Sequence, residues 1–214
     1  MKLHYNPLST YSQKVQIALY EKGVAFEPAL VDLMTPEGRA AYEQIYPIGK
    51  VPLLILDDGH MIPESTIIIE YLEGHHPKQG AKLIPDGIDA ARQVRFMDRM
   101  GDLYLNNPAV TLLFEKIGFR KFDEATLATA KKHLLFSFEK LNQRLANQAW
   151  VAGADFSMAD CATIPPLFYS QVVAPLGDYP HLQRYFKRAQ QRPSYARVMA
   201  EFVPIWQGMQ APKA

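Results

Sequence analysis

The sequence predicts a small α/β domain of order βαβαββα followed by an all-helical domain. Short apolar runs alternate with amphipathic, helix-length segments over residues 1–76. A stretch rich in Pro and Gly then follows at 77–86, and beyond it apolar residues recur only at helical spacing, through 87–214. At 214 residues the chain is long enough for one large domain or two small ones.

"KLHY" (Lys2–Tyr5) reads as the first strand. "SQKVQIALYEKG" reads as a helix, with Ser12 as a candidate N-cap and Gly23 as its stop. "AFEPALV" (Ala25–Val31) is a second strand, and Pro28 confines it to a sheet edge. Thr35 as N-cap and Pro36 at the first helical position open "TPEGRAAYEQI". "PLLILDDGHMI" is a hairpin turned at Asp58-Gly59, and "ESTIIIEYLEGH" is a helix ending near Gly74. Pro77, Gly80 and Pro85 mark 77–86 as a linker. Ala90, Val94, Met97, Gly101 and Tyr104 then lie on one face of a long helix, which Pro108 should kink or break. Leu127, Leu134, Phe138, Leu141 and Leu145 mark a second long helix. "FSMADCATIPPLFYS" begins a third, and "YPHLQRYFKRAQQRPSYARVMAEF" supplies two more, separated at Pro193.

Charge and composition remove several function classes. Twenty-three basic against 22 acidic residues give a net charge of +1, so a general electrostatic footprint for nucleic acid or an anionic membrane is absent. No stretch approaches the ~20 apolar residues that span a bilayer, and "MKLHYNPLST" offers no signal-peptide core. The single cysteine, Cys161, excludes an internal disulfide and a CxxC pair. A soluble, cytoplasmic protein is expected. The six histidines show no metal-ligand spacing, and His75-His76 would point about 100° apart on a helix, so no metal is expected. Ser157 and Asp160 form a capping box, which is structural, and Cys161 falls inside the core helix that follows.

Three short segments suggest chemistry. Pro52 directly precedes the apolar run Leu53–Leu56. A trans proline starting a strand is the simpler reading of these residues alone. A cis bond would instead turn Val51 away from the sheet and free its main chain to pair with an extended peptide. Glu64-Ser65 opens a helix: Ser65 could bind a carboxylate at the helix N-terminus while Glu64 holds an ammonium, which suits an α-amino acid end. An ordinary first helical turn would use the same two residues. The turn "LSTYS" crowds Ser9, Thr10 and Ser12 before the first helix. Capping and turn formation account for them, and so does donation to an anion. Lowering a thiol's pKa by ~2 units requires about 2.7 kcal/mol of thiolate stabilisation, which one or two charge-assisted hydrogen bonds and a helix dipole can supply. The turn holds no residue suited to act as a base, so a serine hydrolase is not expected.

Taken together, the segments resemble a cytosolic glutathione transferase of bacterial, serine-type kind, from residue 1 to about 205. "LSTYSQKVQIALYEKG" resembles the family's first strand–helix turn, "IGKVPLL" its cis-proline segment and "PESTIIIEYLE" its glutamate-serine motif. "DFSMADCATIPPL" is similar to its buried helix start, and "YPHLQRYFKRAQQRPSY" to its penultimate helix. The resemblance implies a thioredoxin-like first domain that binds glutathione and an all-helical second domain that binds the other substrate. Ser9 would hydrogen-bond the glutathione sulfur, with Thr10 and Ser12 as fallbacks. Val51 would pair with the cysteinyl backbone, with Pro52 cis; Glu64 and Ser65 would hold the γ-glutamyl end, and Lys50 would reach the glycyl carboxylate. Leu8, Met100, Tyr104, Leu105 and Phe114 would wall the site of an apolar electrophile between the domains. No cofactor is implied beyond glutathione as co-substrate, and a homodimer is. A glutathione-dependent isomerase or dehalogenase is an alternative within the family. A non-catalytic member acting as a protein-binding module is the rival from another class.

Overall fold

In the computed structural model, which describes residues 1–210, β1 (Lys2–Tyr5) lies inside a four-stranded sheet. The order is β2-β1-β3-β4, with β2 at Glu27–Leu30, β3 at Leu53–Ile55 and β4 at Met61–Pro63. β2 runs parallel to β1, whereas β3 is antiparallel to β1 and β4 to β3. Pro28 sits on the edge strand β2, where its missing N–H breaks no ladder. α1 (Thr10–Lys22) makes the crossover from β1 to β2, α2 (Pro36–Glu43) follows β2, and α3 (Ser65–His75) follows the hairpin. Leu3, Val15, Ile17, Leu19, Leu53, Leu54, Ile68 and Leu72 are fully buried and form this core.

The chain divides into two compact units, Met1–Lys82 with α9 (Pro193–Gln210), and Leu83–Arg192. α9 therefore belongs with the sheet and not with the other late helices. It packs on α1, and Tyr195, Val198 and Phe202 are its buried apolar contacts. The sequence alone placed this segment in the helical domain, because a helix's period says which face is apolar and not what covers it.

Residues 77–82 do not form a free tether. Lys22 Nζ, fully buried, pairs with Glu73 at 3.0 Å and donates to the Ala81 carbonyl at 3.3 Å. Ala81 N–H donates to the Glu21 carbonyl at 2.9 Å, and Gln79 Nε2 donates to the Gly23 carbonyl at 3.2 Å. The carbonyls at the end of α1 have no helical donors left, and this segment supplies them.

The second unit contains α4 (Ile88–Met100), a π-helical turn (Gly101–Asn106), α5 (Asn107–Lys116), α6 (Glu124–Arg144), α7 (Met158–Val173) and α8 (Pro180–Gln190). Pro108 does not break the path from α4 to α5. The π turn directly before it widens the backbone, and the proline takes a place in the first turn of α5. At the start of α7, Asp160 accepts from Ser157 N–H and Val151 N–H, each at 2.9 Å, and from the Tyr185 and Ser157 hydroxyls, each at 3.1 Å. Burial pushes its carboxyl up to about 6 against these bonds. Among the described residues no helix is long and apolar enough to cross a membrane.

Candidate functional site

The sheet register brings three loops to one end. His4 lies opposite Leu53, so the chain leaves β1 where it enters β3. Leu53 in turn lies opposite Pro63, so the end of β4 reaches the same edge. The turn 6–9, the segment 50–52 and the pair Glu64-Ser65 therefore gather at the C-terminal end of β1. Strand pairing alone dictates this.

The turn is rigid. Asn6 holds it from three directions: its N–H donates to Ser12 Oγ at 3.3 Å, its Nδ2 donates to the Val31 carbonyl at 2.9 Å, and its Oδ1 accepts from Leu8 N–H at 2.9 Å. Ser9 N–H donates to the Asn6 carbonyl at 2.9 Å, and the buried Gln13 donates from Nε2 to the Pro7 carbonyl at 2.7 Å. The N-cap of α1 is Ser9, not Ser12, and its Oγ accepts from Ser12 N–H at 3.3 Å.

These bonds distinguish the three hydroxyls. Ser12 is 0% exposed and its oxygen is taken by Asn6; Thr10 is 6% exposed. Ser9 is half-buried, and its oxygen accepts in the cap. A hydroxyl that accepts keeps its own proton to donate. Ser9 can thus cap the helix and still offer a hydrogen bond outward, beside the helix's positive end. No acidic side chain lies in that first turn to offset the dipole.

At the second loop the Val51–Pro52 peptide bond is cis. Pro52 is buried, Val51 is half-buried, and no backbone group pairs with the Val51 N–H or C=O among the described residues. The loop is fixed from behind by Tyr42, whose hydroxyl donates to the Lys50 carbonyl at 2.9 Å. Burial pushes that phenol up to about 12, so it stays a donor at physiological pH. Gly49, at φ +66, makes the turn that delivers Lys50, whose side chain is exposed.

At the third loop, Glu64 has φ 68 and ψ 119, the one non-glycine residue with positive φ among those described. No side chain caps α3, and Ser65 opens it at 5% exposure. Lys14, buried on α1, donates from Nζ to Thr66 Oγ1 at 2.9 Å and so braces the first turn of α3 against α1. The uncapped start of α3, the Glu64 carboxylate and the unpaired backbone of Val51 thus lie together at one end of the sheet.

The chain matches the family model for the glutathione S-transferase N-terminal domain over residues 3–80 and that for the C-terminal domain over 104–193. It is 30% identical over 202 residues to a maleylacetoacetate isomerase from Pseudomonas aeruginosa, covering 91% of this chain and 93% of that one. The chain belongs to the glutathione S-transferase family. It is also 29% identical to glutathione S-transferase F10 from Arabidopsis thaliana, over 92% of this chain and 96% of the relative. A solved glutathione S-transferase from Methylobacillus flagellatus with GSH bound superposes with a TM-score of 0.80 at 29% identity, covering 92% of this chain and 98% of that one. The thioredoxin-like first domain, the helical second domain and glutathione transferase function come with that membership.

The residues expected to wall the second substrate fall in both units. Leu8 is half-buried in the turn of the first unit. In the second unit Met100 ends α4, Tyr104 meets His133 of α6 edge-on at 5.6 Å, and the Phe114 ring lies 4.7 Å from Phe119. Leu105 is fully enclosed. A groove of about 400 Å³ in the second unit is lined by Leu103, Asn107, Thr111, Thr129 and His133, among others. The bracing residues Asn6 and Gln13 were not singled out from sequence; the turn-forming dipeptide Asn6-Pro7 was the signal for the first.

Proposed function

We propose that this chain binds glutathione at the gathered end of its sheet and uses the Ser9 hydroxyl to stabilise the thiolate for attack on an apolar electrophile. Val51 pairs through its main chain with the cysteinyl residue. Glu64 holds the γ-glutamyl ammonium, Ser65 and the α3 N-terminus hold its carboxylate, and Lys50 faces the glycyl carboxylate. The observation that carries this reading is the partition of the three hydroxyls: Ser9 is the one with both exposure and a free proton. A hydrogen bond to the thiolate has no counterpart of equal strength in the thiol form, so it favours ionisation. The thiolate then forms the new carbon–sulfur bond as the leaving group departs with its electron pair.

Glutathione-dependent isomerisation is the second reading, favoured by maleylacetoacetate isomerases among the relatives, at 30% and 34% identity. It needs the same thiolate, which adds to the substrate and later leaves. A homodimer in the cytoplasm accompanies both readings as an expectation of the family.

Immobilised glutathione should retain the protein, and Ser9→Ala should lower conjugation of a chromogenic electrophile by about 10²-fold while leaving retention largely intact. Absence of retention would defeat the reading in favour of an interaction module. Retention with unchanged turnover in Ser9→Ala would move the role to Thr10 or a backbone N–H.

A further inference from the structure

Both sides of the turn 6–9 are tied to one atom of the last helix. Tyr5, the final residue of β1, donates from its hydroxyl to Glu201 Oε2 at 2.9 Å. Gln16 of α1 donates from Nε2 to the same oxygen at 3.3 Å. Tyr5 is 3% and Gln16 1% exposed, so neither exchanges this partner for water at small cost. Tyr5 feeds the turn, and Gln16 lies two helical turns beyond Ser9 on the same side of α1. The carboxylate's charge also acts on the Tyr20 phenol, and the Arg197 guanidinium lies over the Tyr20 ring at 4.2 Å.

We infer that Glu201 is a positioning residue for the sulfur-binding turn, acting through Tyr5 and Gln16. The inference rests on the glutathione reading above. Asn6 and Gln13 already join the two sides next to the turn, and the Glu201 clamp adds a second span further back, from Tyr5 of β1 to Gln16 in the second turn of α1. The hydrogen bonds inside the turn fix its shape, and the Glu201 clamp fixes its aim. The carboxylate also engages Tyr5, the tyrosine on the strand side of the turn. Burial, then the bond to Glu201, pushes the Tyr5 phenol well above its ordinary range. The Tyr5 hydroxyl gives its one proton to Glu201, and so Tyr5 holds the turn. A displaced Ser9 would still leave Val51, Glu64 and Ser65 in place, so glutathione would bind with its sulfur poorly met.

The test uses the full chain. Glu201→Leu removes the acceptor, Glu201→Gln keeps it without the charge, and Tyr5→Phe removes the strand half of the clamp. Thiolate absorbance of the bound glutathione against pH, with kcat and KM, gives the readout. For Glu201→Leu we expect kcat to fall about tenfold, with KM for glutathione within about twofold. The pKa of the bound thiol should rise by about one unit, the same factor expressed as ionisation. Glu201→Gln should restore most of both, and Tyr5→Phe should shift the thiol in the same direction. If Glu201→Leu does not fold, Tyr5→Phe carries the test alone. An unchanged thiol pKa and kcat in a variant that loses only thermal stability would overturn the inference. Wild-type protein that shows no bound thiolate would instead defeat the glutathione reading on which it stands.

Discussion

Glu64 shows what one residue can reveal only once its backbone is seen. Its φ of 68 with ψ of 119 lies outside the regions an L side chain favours. Such conformations cost about 1–3 kcal/mol and persist where the surroundings over-determine them. Here the strand end at Pro63 and the buried Ser65 hold it from both sides, and Ile68 N–H bonds its carbonyl at 2.9 Å. Glycine would adopt the same angles freely, at an entropic cost of roughly 0.5–1 kcal/mol in the unfolded chain. Glu64→Gly should therefore raise the stability to denaturant by about 1 kcal/mol while weakening retention on glutathione. A variant that is less stable, or one that binds as tightly as before, would show that the strain serves no ligand. The sequence pointed to the pair Glu64-Ser65 through its charge and its place at a helix start. Nothing in a Glu-Ser dipeptide signals a positive φ, because the constraint comes from the strand before it and the helix after it. Ser9, Thr10 and Ser12 teach the same lesson. Their side chains are chemically alike, and only the hydrogen bonds of Asn6 and of the cap separate them.

At the scale of elements, the succession of strands and helices along the chain was legible because each element rests on a local period and a local stop signal. The cap of α1 slipped by three residues, since any of several hydroxyls can fill that place. Pro108 misled for a physical reason: a π turn absorbs it, and no local pattern announces a π turn. The segment after α3 was legible as irregular backbone but not as docked backbone. Gly80 is the residue that makes docking possible. It has φ +60, and a Cβ there would lie 2.4 Å from the Glu21 carbonyl oxygen and 2.5 Å from Lys22 backbone atoms. No flexible side chain can yield to relieve that approach. Gly80→Ala should lower stability by about 2–4 kcal/mol, and equilibrium denaturation should register it as a shift in midpoint. A change under roughly 0.5 kcal/mol, usual for an exposed surface site, would mean that the segment leaves α1 at little cost.

For the whole molecule, the instructive difference is the allegiance of α9. Read from sequence, the chain changes character once, from α/β to all-helical, and a single boundary follows. The contacts draw another boundary at Pro193, where the chain returns to the unit it began in. Apolar burial and polar clamping agree on this. Tyr195, Val198 and Phe202 are nearly or fully buried, and Ser194 donates to Glu21 while Glu201 accepts from Tyr5 and Gln16. A helix that contributes both core and clamp should share the opening free energy of its neighbours. Native-state hydrogen exchange should thus place the slow amides of α9 in one cooperative group with those of α1 and β1, separate from α8. Glu201→Leu should lower protection across α9, α1 and β1 together. Amides of α9 that open with α8, or that stay protected while α1 and β1 loosen, would show that the sheet unit is complete without its last helix. The clamp on the turn would then have to come from the strand and the first helix alone.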